Sequence, residues 1–123
     1  MKINKAMIID DSASDQFLTQ YVINEFDPKI ETCSAYDGQE ALEMLENMQI
    51  KPDIIFLDIN MPRMNGLEFL EQYSQHEKQT TVVTMLTSSQ QEKDKTTALS
   101  YSCVKKYFIK LLDMDDLMSL ATH

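Results

Sequence analysis

The stretch Pro52-Asp53-Ile54-Ile55-Phe56-Leu57-Asp58-Ile59-Asn60-Met61-Pro62 constrains the fold more than any other. Ile54 to Leu57 are consecutive apolar residues. A strand that is apolar on both sides belongs in the middle of a parallel sheet with helices on both faces. Asp58 ends the run, and an aspartate there does not pack like its neighbours. It is either a turn or helix-capping aspartate leading into Met61-Pro62, or a nucleophile or metal ligand in the crevice beyond the strand ends, where open α/β sheets hold their sites.

The rest of the chain has the same grammar. Lys5 to Asp10 reads as a short apolar strand ending in Asp10-Asp11, and Ser12 to Asp15 can cap a first helix. Phe17, Leu18, Tyr21, Val22 and Phe26 recur at helical spacing and predict a helix from Ser14 to Phe26 whose apolar side faces the core. Ile30 to Ala35 reads as a strand, Asp37-Gly38 as a turn, and Ala41, Leu42, Leu45 and Met48 as a second helix. After the central strand come the loop Met61 to Gly66 and a helix bearing Leu67, Phe69, Leu70 and Tyr73. Thr81 to Leu86 is a fourth strand ending in Thr87, and a polar helix runs from Gln91 to Tyr101. Val104 to Ile109 is a fifth strand ending in Lys110, and Asp113 can cap a last helix with Met114, Leu117, Met118 and Ala121. Strand and helix alternate five times with short connections, which predicts an α/β fold, a five-stranded parallel sheet with right-handed crossovers. The repeats consume residues 1–123 and are expected to form one domain with no output domain.

Composition narrows the partners. The 123 residues carry 20 acids against 11 bases, a formal net charge of −9. With no basic stripe to neutralise phosphates, nucleic acid is not an expected partner, and neither is an anionic membrane. No apolar run approaches transmembrane length, and Met1 to Lys5 does not read as a signal peptide, so a cytoplasmic setting is expected. Cys33 and Cys103 lack metal spacing and are expected to be buried thiols. His76 reads as a solvated histidine in the tail of the third helix, and His123 as terminal.

In a parallel sheet the carboxyl ends of the strands share one edge, so Asp10, Asp11, Asp58, Thr87 and Lys110 are expected to converge. Three neighbouring carboxylates raise one another's pKa unless a counter-ion is present. A hard divalent cation with oxygen ligands answers this, and Mg²⁺ is the usual choice where phosphate is handled. A carboxylate nucleophile flanked by a metal, an ammonium and a hydroxyl suits acceptance of a phosphoryl group.

The sequence resembles the receiver domain of bacterial two-component response regulators along its whole length. The resemblance rests on Ile8-Ile9-Asp10-Asp11, Asp37-Gly38-Gln39-Glu40-Ala41-Leu42, Pro52 to Pro62 with Met64-Asn65-Gly66, Met85-Leu86-Thr87-Ser88 and Tyr107-Phe108-Ile109-Lys110. It implies a flavodoxin-like, doubly wound (βα)5 fold with strand order 2-1-3-4-5. It implies that Asp58 is the phosphoacceptor, and that Asp11 directly, Asp10 through water, Asp58 and the backbone carbonyl of Asn60 hold Mg²⁺. Thr87 would hydrogen-bond the phosphoryl group, Lys110 would pair with it, and Tyr107 would be the aromatic switch that moves with Thr87. Asn60 and Ser89 match positions that tune dephosphorylation. The implied donor is a sensor histidine kinase or histidine phosphotransfer protein, docking on the first helix and the loop after strand five. The implied signal is protein contact or phosphorelay by a monomer or a weak, phosphorylation-dependent dimer.

Two departures from the family pattern stand out. The usual Gly-Ala before the last strand is replaced around Ser102-Cys103-Val104, and Lys110 is followed by Leu111 rather than proline. A cis bond costs about 3–4 kcal/mol before a non-proline residue and under about 1 kcal/mol before proline. A trans Lys110-Leu111 bond with a shifted Lys110 loop is therefore expected. Three other functions compete. A degenerate receiver would bind partners without phosphorylation. A phosphatase of the haloacid dehalogenase type would need a second aspartate where Asn60 stands. A flavin carrier would need a hydroxyl- and glycine-rich loop after strand one.

Overall fold

In the computed structural model, which describes residues 1–75 and 80–121, five strands alternate with five helices. The strands are β1 (Lys5–Ile9), β2 (Glu31–Ala35), β3 (Ile54–Leu57), β4 (Val82–Thr87) and β5 (Val104–Ile109). The helices are α1 (Ala13–Phe26), α2 (Gly38–Asn47), α3 (Gly66–Tyr73), α4 (Glu92–Leu99) and α5 (Met114–Ala121). All pairings are parallel, in the order β2-β1-β3-β4-β5. The fold is the flavodoxin-like one expected from the sequence.

Each strand's alternation divides its side chains between two cores. Met7, Ile9, Ile55, Leu57, Val83 and Met85 pack with α2, α3 and α4 through Ala41, Leu45, Phe69, Leu70, Tyr73 and Ala98. Ala6, Ile8, Ile54 and Phe56 pack on the other face with Ile23 of α1 and Leu117 and Leu120 of α5. Every residue of β3 is buried, as a strand covered on both faces requires.

Helix starts carry their own signals. Ser12, Asp37 and Asn65 are the N-caps of α1, α2 and α3, each accepting the backbone N–H three residues on. Asp37-Gly38 is therefore a helix start. At α5 the N–H of Asp116 donates to Asp113 Oδ1 at 2.8 Å, the capping role expected for Asp113.

The first helix corrects the expectation drawn from its apolar spacing. Phe17, Leu18 and Tyr21 are exposed, at 67%, 40% and 56%, while Gln16, Thr19 and Ile23 are buried. The reason lies at the strand ends. The Gln16 side-chain amide lies 3.0 Å from the Ile8 carbonyl, 3.1 Å from that of Asp10 and 2.9 Å from that of Ala35. Carbonyls at the end of a sheet need donors, and a glutamine on the inner face of α1 supplies them. His76 and His123 lie outside the described residues. Cys33 and Cys103 are free and half-buried, less enclosed than expected, and burial pushes both thiols upward in pKa.

Candidate functional site

Register builds the site. Ile9 pairs with Leu57 across β1 and β3, so the next residue of each strand, Asp10 and Asp58, emerges beside the other. This is where the sheet order reverses around β1, the place at which open α/β sheets form a crevice. The Asp58 N–H donates to the Ile9 carbonyl at 3.0 Å, and the Asp10 N–H to the Ala35 carbonyl at 3.0 Å. Both carboxylates are buried, while Asp11 is exposed at the mouth. One carboxylate oxygen from each of Asp10, Asp11 and Asp58 lies within 4.8 Å of the others.

Lys110 enters from the end of β5 and meets three acids. Its Nζ lies 2.7 Å from Asp15 Oδ2, 2.8 Å from Asp10 Oδ2 and 3.2 Å from Asp58 Oδ2. Burial alone pushes the lysine toward its neutral form. The hydrogen bonds to Asp10 and Asp15 and the charge of Asp58 overcome that, leaving its pKa above the ordinary lysine value. Burial pushes the Asp10 carboxyl upward, against the pull of Lys110 and the Ser12 N–H and with the push of Asp58. Asp58 Oδ1 accepts the Ile59 N–H at 2.8 Å, so its two oxygens are held by different partners and its carboxylate plane is fixed.

The Lys110-Leu111 bond is cis, which corrects the expectation of trans. Contacts on both sides hold this segment. The Lys110 N–H donates to the Thr87 carbonyl at 3.0 Å, the ammonium is anchored by the three carboxylates, and Leu112 is buried in the core shared with α1 and α5. Lys110 accordingly reaches the site despite the absence of proline.

The remaining expected residues line the same edge. Thr87 is fully buried, and its Oγ1 accepts the Ser89 N–H at 3.3 Å. Tyr107 is half-buried and its hydroxyl donates to the Ser89 carbonyl at 3.0 Å. Ser89 Oγ in turn donates to Asp94 Oδ2 at 2.6 Å. Thr87, Ser89 and Tyr107 thus form one linked unit between β4, β5 and α4. Asn60 is exposed just beyond Asp58.

Three contributors escape a reading of the sequence. Asp15 reads only as part of a capping stretch, yet it makes the shortest contact to Lys110. Gly66 is the second. Its N–H donates to the Ile59 carbonyl at 2.9 Å, and a Cβ there would lie 2.2 Å from the Asp58 carbonyl oxygen. Only glycine lets the loop fold back onto the acceptor strand. The third is Arg63, whose Nε and Nη2 lie 2.8 and 2.7 Å from Asp37 Oδ2. The Asn65-Gly66 and Asp37-Gly38 pairs are visible as turn signals, but nothing local says that one loop touches the other.

The residues fit a hard cation. Three oxygen donors converge with a surplus of negative charge, and among the described residues no sulfur or imidazole ligand joins the group.

Comparison with known proteins agrees with this geometry. The sequence profile of the response regulator receiver domain matches residues 6–122. The regulatory protein AtoC of Escherichia coli (strain K12) is 31% identical over 118 residues, 94% of this chain and 24% of that protein. A protein-glutamate methylesterase/protein-glutamine glutaminase of Pyrococcus horikoshii is 45% identical over 67 residues, 54% of this chain and 17% of that protein. The chain thus spans about a quarter or less of these curated relatives. A two-component response regulator from Cytophaga hutchinsonii superposes with a TM-score of 0.87 at 30% identity, covering 99% of this chain and 96% of the other.

Proposed function

Because the chain belongs to the response regulator receiver domain family, a signalling phosphoacceptor family, we propose that it is a switch that accepts a phosphoryl group on Asp58. The observation that carries this reading is the setting of that carboxylate. It is buried, fixed by the Ile59 N–H, and flanked by Lys110 and by two further acids that can share a cation. The donor is a sensor histidine kinase or a histidine phosphotransfer protein. An Asp58 oxygen forms a bond to phosphorus as the bond from phosphorus to the donor's imidazole nitrogen breaks, and the nitrogen keeps the electron pair. Such transfer needs positioning and charge neutralisation more than covalent help.

Asp10, Asp11, Asp58 and the Asn60 carbonyl would hold Mg²⁺, which when bound neutralises charge on the incoming phosphoryl oxygens. Lys110 pairs with one phosphoryl oxygen and Thr87 Oγ donates to another. Drawing Thr87 toward the phosphoryl group breaks its contact with the Ser89 N–H, and Tyr107, bonded to the Ser89 carbonyl, moves with it. Asn60 and Ser89 border the path of the hydrolytic water and set the lifetime of the phosphoryl group. The exposed Phe17, Leu18 and Tyr21 of α1 lie near Asp15, and the exposed Leu111 and Met114 come just after Lys110. They offer the donor an apolar landing surface beside the site.

Read as a one-domain protein, the chain signals through protein contact or onward relay in a cytoplasmic setting, as a monomer or a weak dimer formed on phosphorylation. No helix among the described residues is long and apolar enough to cross a membrane. The test is intact mass and peptide mapping after incubation with acetyl phosphate, with and without Mg²⁺, beside Asp58→Ala. One added phosphoryl group, dependent on Mg²⁺ and absent from the variant, is the expected result. No gain in the wild type under any donor would favour a phosphorylation-independent binding module.

A further inference from the structure

Asp15 makes the shortest of the Lys110 contacts, at 2.7 Å, although it belongs neither to a strand end nor to the group of three acids that can share a cation. Its place in the chain suggests an ordinary role. It is the third residue of α1, where an acid can reach back to the N–H of the cap and also favours the helix N-terminus. Here it does not reach back. The Ser12 N–H donates to Asp10 Oδ1 at 3.0 Å instead, and the Asp15 carboxylate is turned onto Lys110. A lysine has three N–H donors, and the Lys110 ammonium already lies within 3.2 Å of three carboxylates, donating to Asp15 and Asp58 and paired with Asp10. A phosphoryl oxygen that pairs with Lys110 must therefore compete with carboxylates already on its ammonium.

We propose that Asp15 is a positioning residue that restrains phosphoryl transfer by competing for Lys110 and by repelling the dianionic donor. The inference rests on the reading of Asp58 as phosphoacceptor. Asp15 is the carboxylate to be displaced. It is 28% exposed, so water can take over its solvation, whereas Asp10 and Asp58 are 3% and 6% exposed and on release would keep only the backbone N–H on Oδ1, with the Oδ2 that faces Lys110 losing that contact in a buried site. Its own charge remains at the mouth, in the way of an arriving anion.

The test uses two small donors and two variants of the full chain. With acetyl phosphate an Asp58 oxygen bonds to phosphorus, the phosphorus–oxygen bond breaks, and acetate leaves with the electron pair and no proton transfer. With phosphoramidate the phosphorus–nitrogen bond breaks and the already protonated nitrogen leaves as ammonia. Acetyl phosphate carries one more negative charge than zwitterionic phosphoramidate, so the pair of donors reads charge at the mouth. Asp15→Asn is expected to speed phosphoryl gain from acetyl phosphate by roughly three- to tenfold, the range of one charge-assisted contact at a partly exposed site. The gain with phosphoramidate is expected to be smaller, and Asp15→Glu, which keeps the charge, is expected to stay near wild type. A purely structural role would move both donors together and would show as a lowered melting temperature. An Asp15→Asn protein that melts like wild type yet is no faster with either donor, or shows the same ratio between donors, would overturn the inference while leaving the acceptor role of Asp58 intact. A wild type that takes up no phosphoryl group from either donor would overturn both.

Discussion

Two charge clusters draw on the segment between β3 and α3, one through Asp58 and the other through Arg63, and they are built on opposite logic. In the crevice, three carboxylates (Asp10, Asp15 and Asp58) contact one ammonium, and a fourth, Asp11, has an oxygen within 4.8 Å of those of Asp10 and Asp58. At the latch, one carboxylate meets one guanidinium, Asp37 with Arg63, and Asp37 Oδ1 also caps α2 through the Glu40 N–H at 2.8 Å. At the latch the charges balance one to one. The crevice carries a surplus of negative charge, which an added cation would relieve. A satisfied pair contributes modestly to stability, whereas a buried surplus lowers stability and keeps a site ready. Charge by itself does not mark a site; the imbalance does.

The shared loop is the way to break both at once. Gly66 rests on the Asp58 carbonyl at one end, while Gly38 lies against Met64 beside the latch, its N–H donating to the Met64 carbonyl at 2.9 Å. Gly66→Ala places a Cβ 2.2 Å from backbone oxygen, and the Asp58 backbone cannot yield without moving the acceptor. A loss of about 3 kcal/mol or more in urea unfolding is expected. Phosphoryl gain should also slow in the fraction that stays folded. A variant with wild-type stability and kinetics would mean that the loop floats free of β3 and that the two clusters are independent.

How much of this could be read from the chain depends on the range of the interactions. The order of elements, the parallel sheet and the convergence of Asp10, Asp58, Thr87 and Lys110 come from strand periodicity and from the rule that parallel strands share a carboxyl edge. The family resemblance adds the strand order. Interactions between distant segments are not readable. Phe17, Leu18 and Tyr21 have helical spacing, and periodicity treats them as core. The strand-end carbonyls that demand Gln16 on the inner face exist only once β1 and β2 are side by side. Asp15 looks like a capping acid until Lys110, 95 residues away, arrives on it. The cis Lys110-Leu111 bond also goes against local preference, because contacts far apart in sequence hold the residues on either side.

Asp10→Asn separates the clusters by sign. Burial already presses the Asp10 carboxyl toward its protonated form, so removing its charge should stabilise the protein, by about 1 kcal/mol in urea unfolding at neutral pH. Lys110 keeps Asp15 and Asp58. Millimolar Mg²⁺ is expected to stabilise the wild type thermally, and the same variant should lose that response, since a ligand stabilises only the state that binds it. Arg63→Ala should keep that Mg²⁺ response in full. If Asp10→Asn destabilises instead, the crevice is not in surplus, and the contrast with the latch fails.

The latch should give the smallest effects. The Arg63 side chain is 62% exposed, so its pair with Asp37 is worth about 0.2–1 kcal/mol. Arg63 also has a φ of 61°, the left-handed region, which costs an ordinary residue roughly 1–2 kcal/mol and glycine almost nothing. Arg63→Ala loses the pair and keeps the unfavourable backbone, whereas Arg63→Gly loses the pair and removes that cost. The glycine variant should therefore be the more stable of the two. The pH dependence comes from Asp37. Burial pushes its carboxyl up, but the backbone N–H of Glu40 and then Arg63 outweigh it, and its pKa lies below the ordinary 3.8. A lowered folded value means stability that is present above 3.8 and lost as pH falls through the lowered value. Arg63→Ala should flatten that acid limb in part, because the Glu40 N–H still holds the carboxylate. Urea titrations from neutral pH down through the carboxylate range would show it. An acid limb unchanged by Arg63→Ala would assign the low Asp37 value to the helix cap alone and reduce the latch to a surface contact.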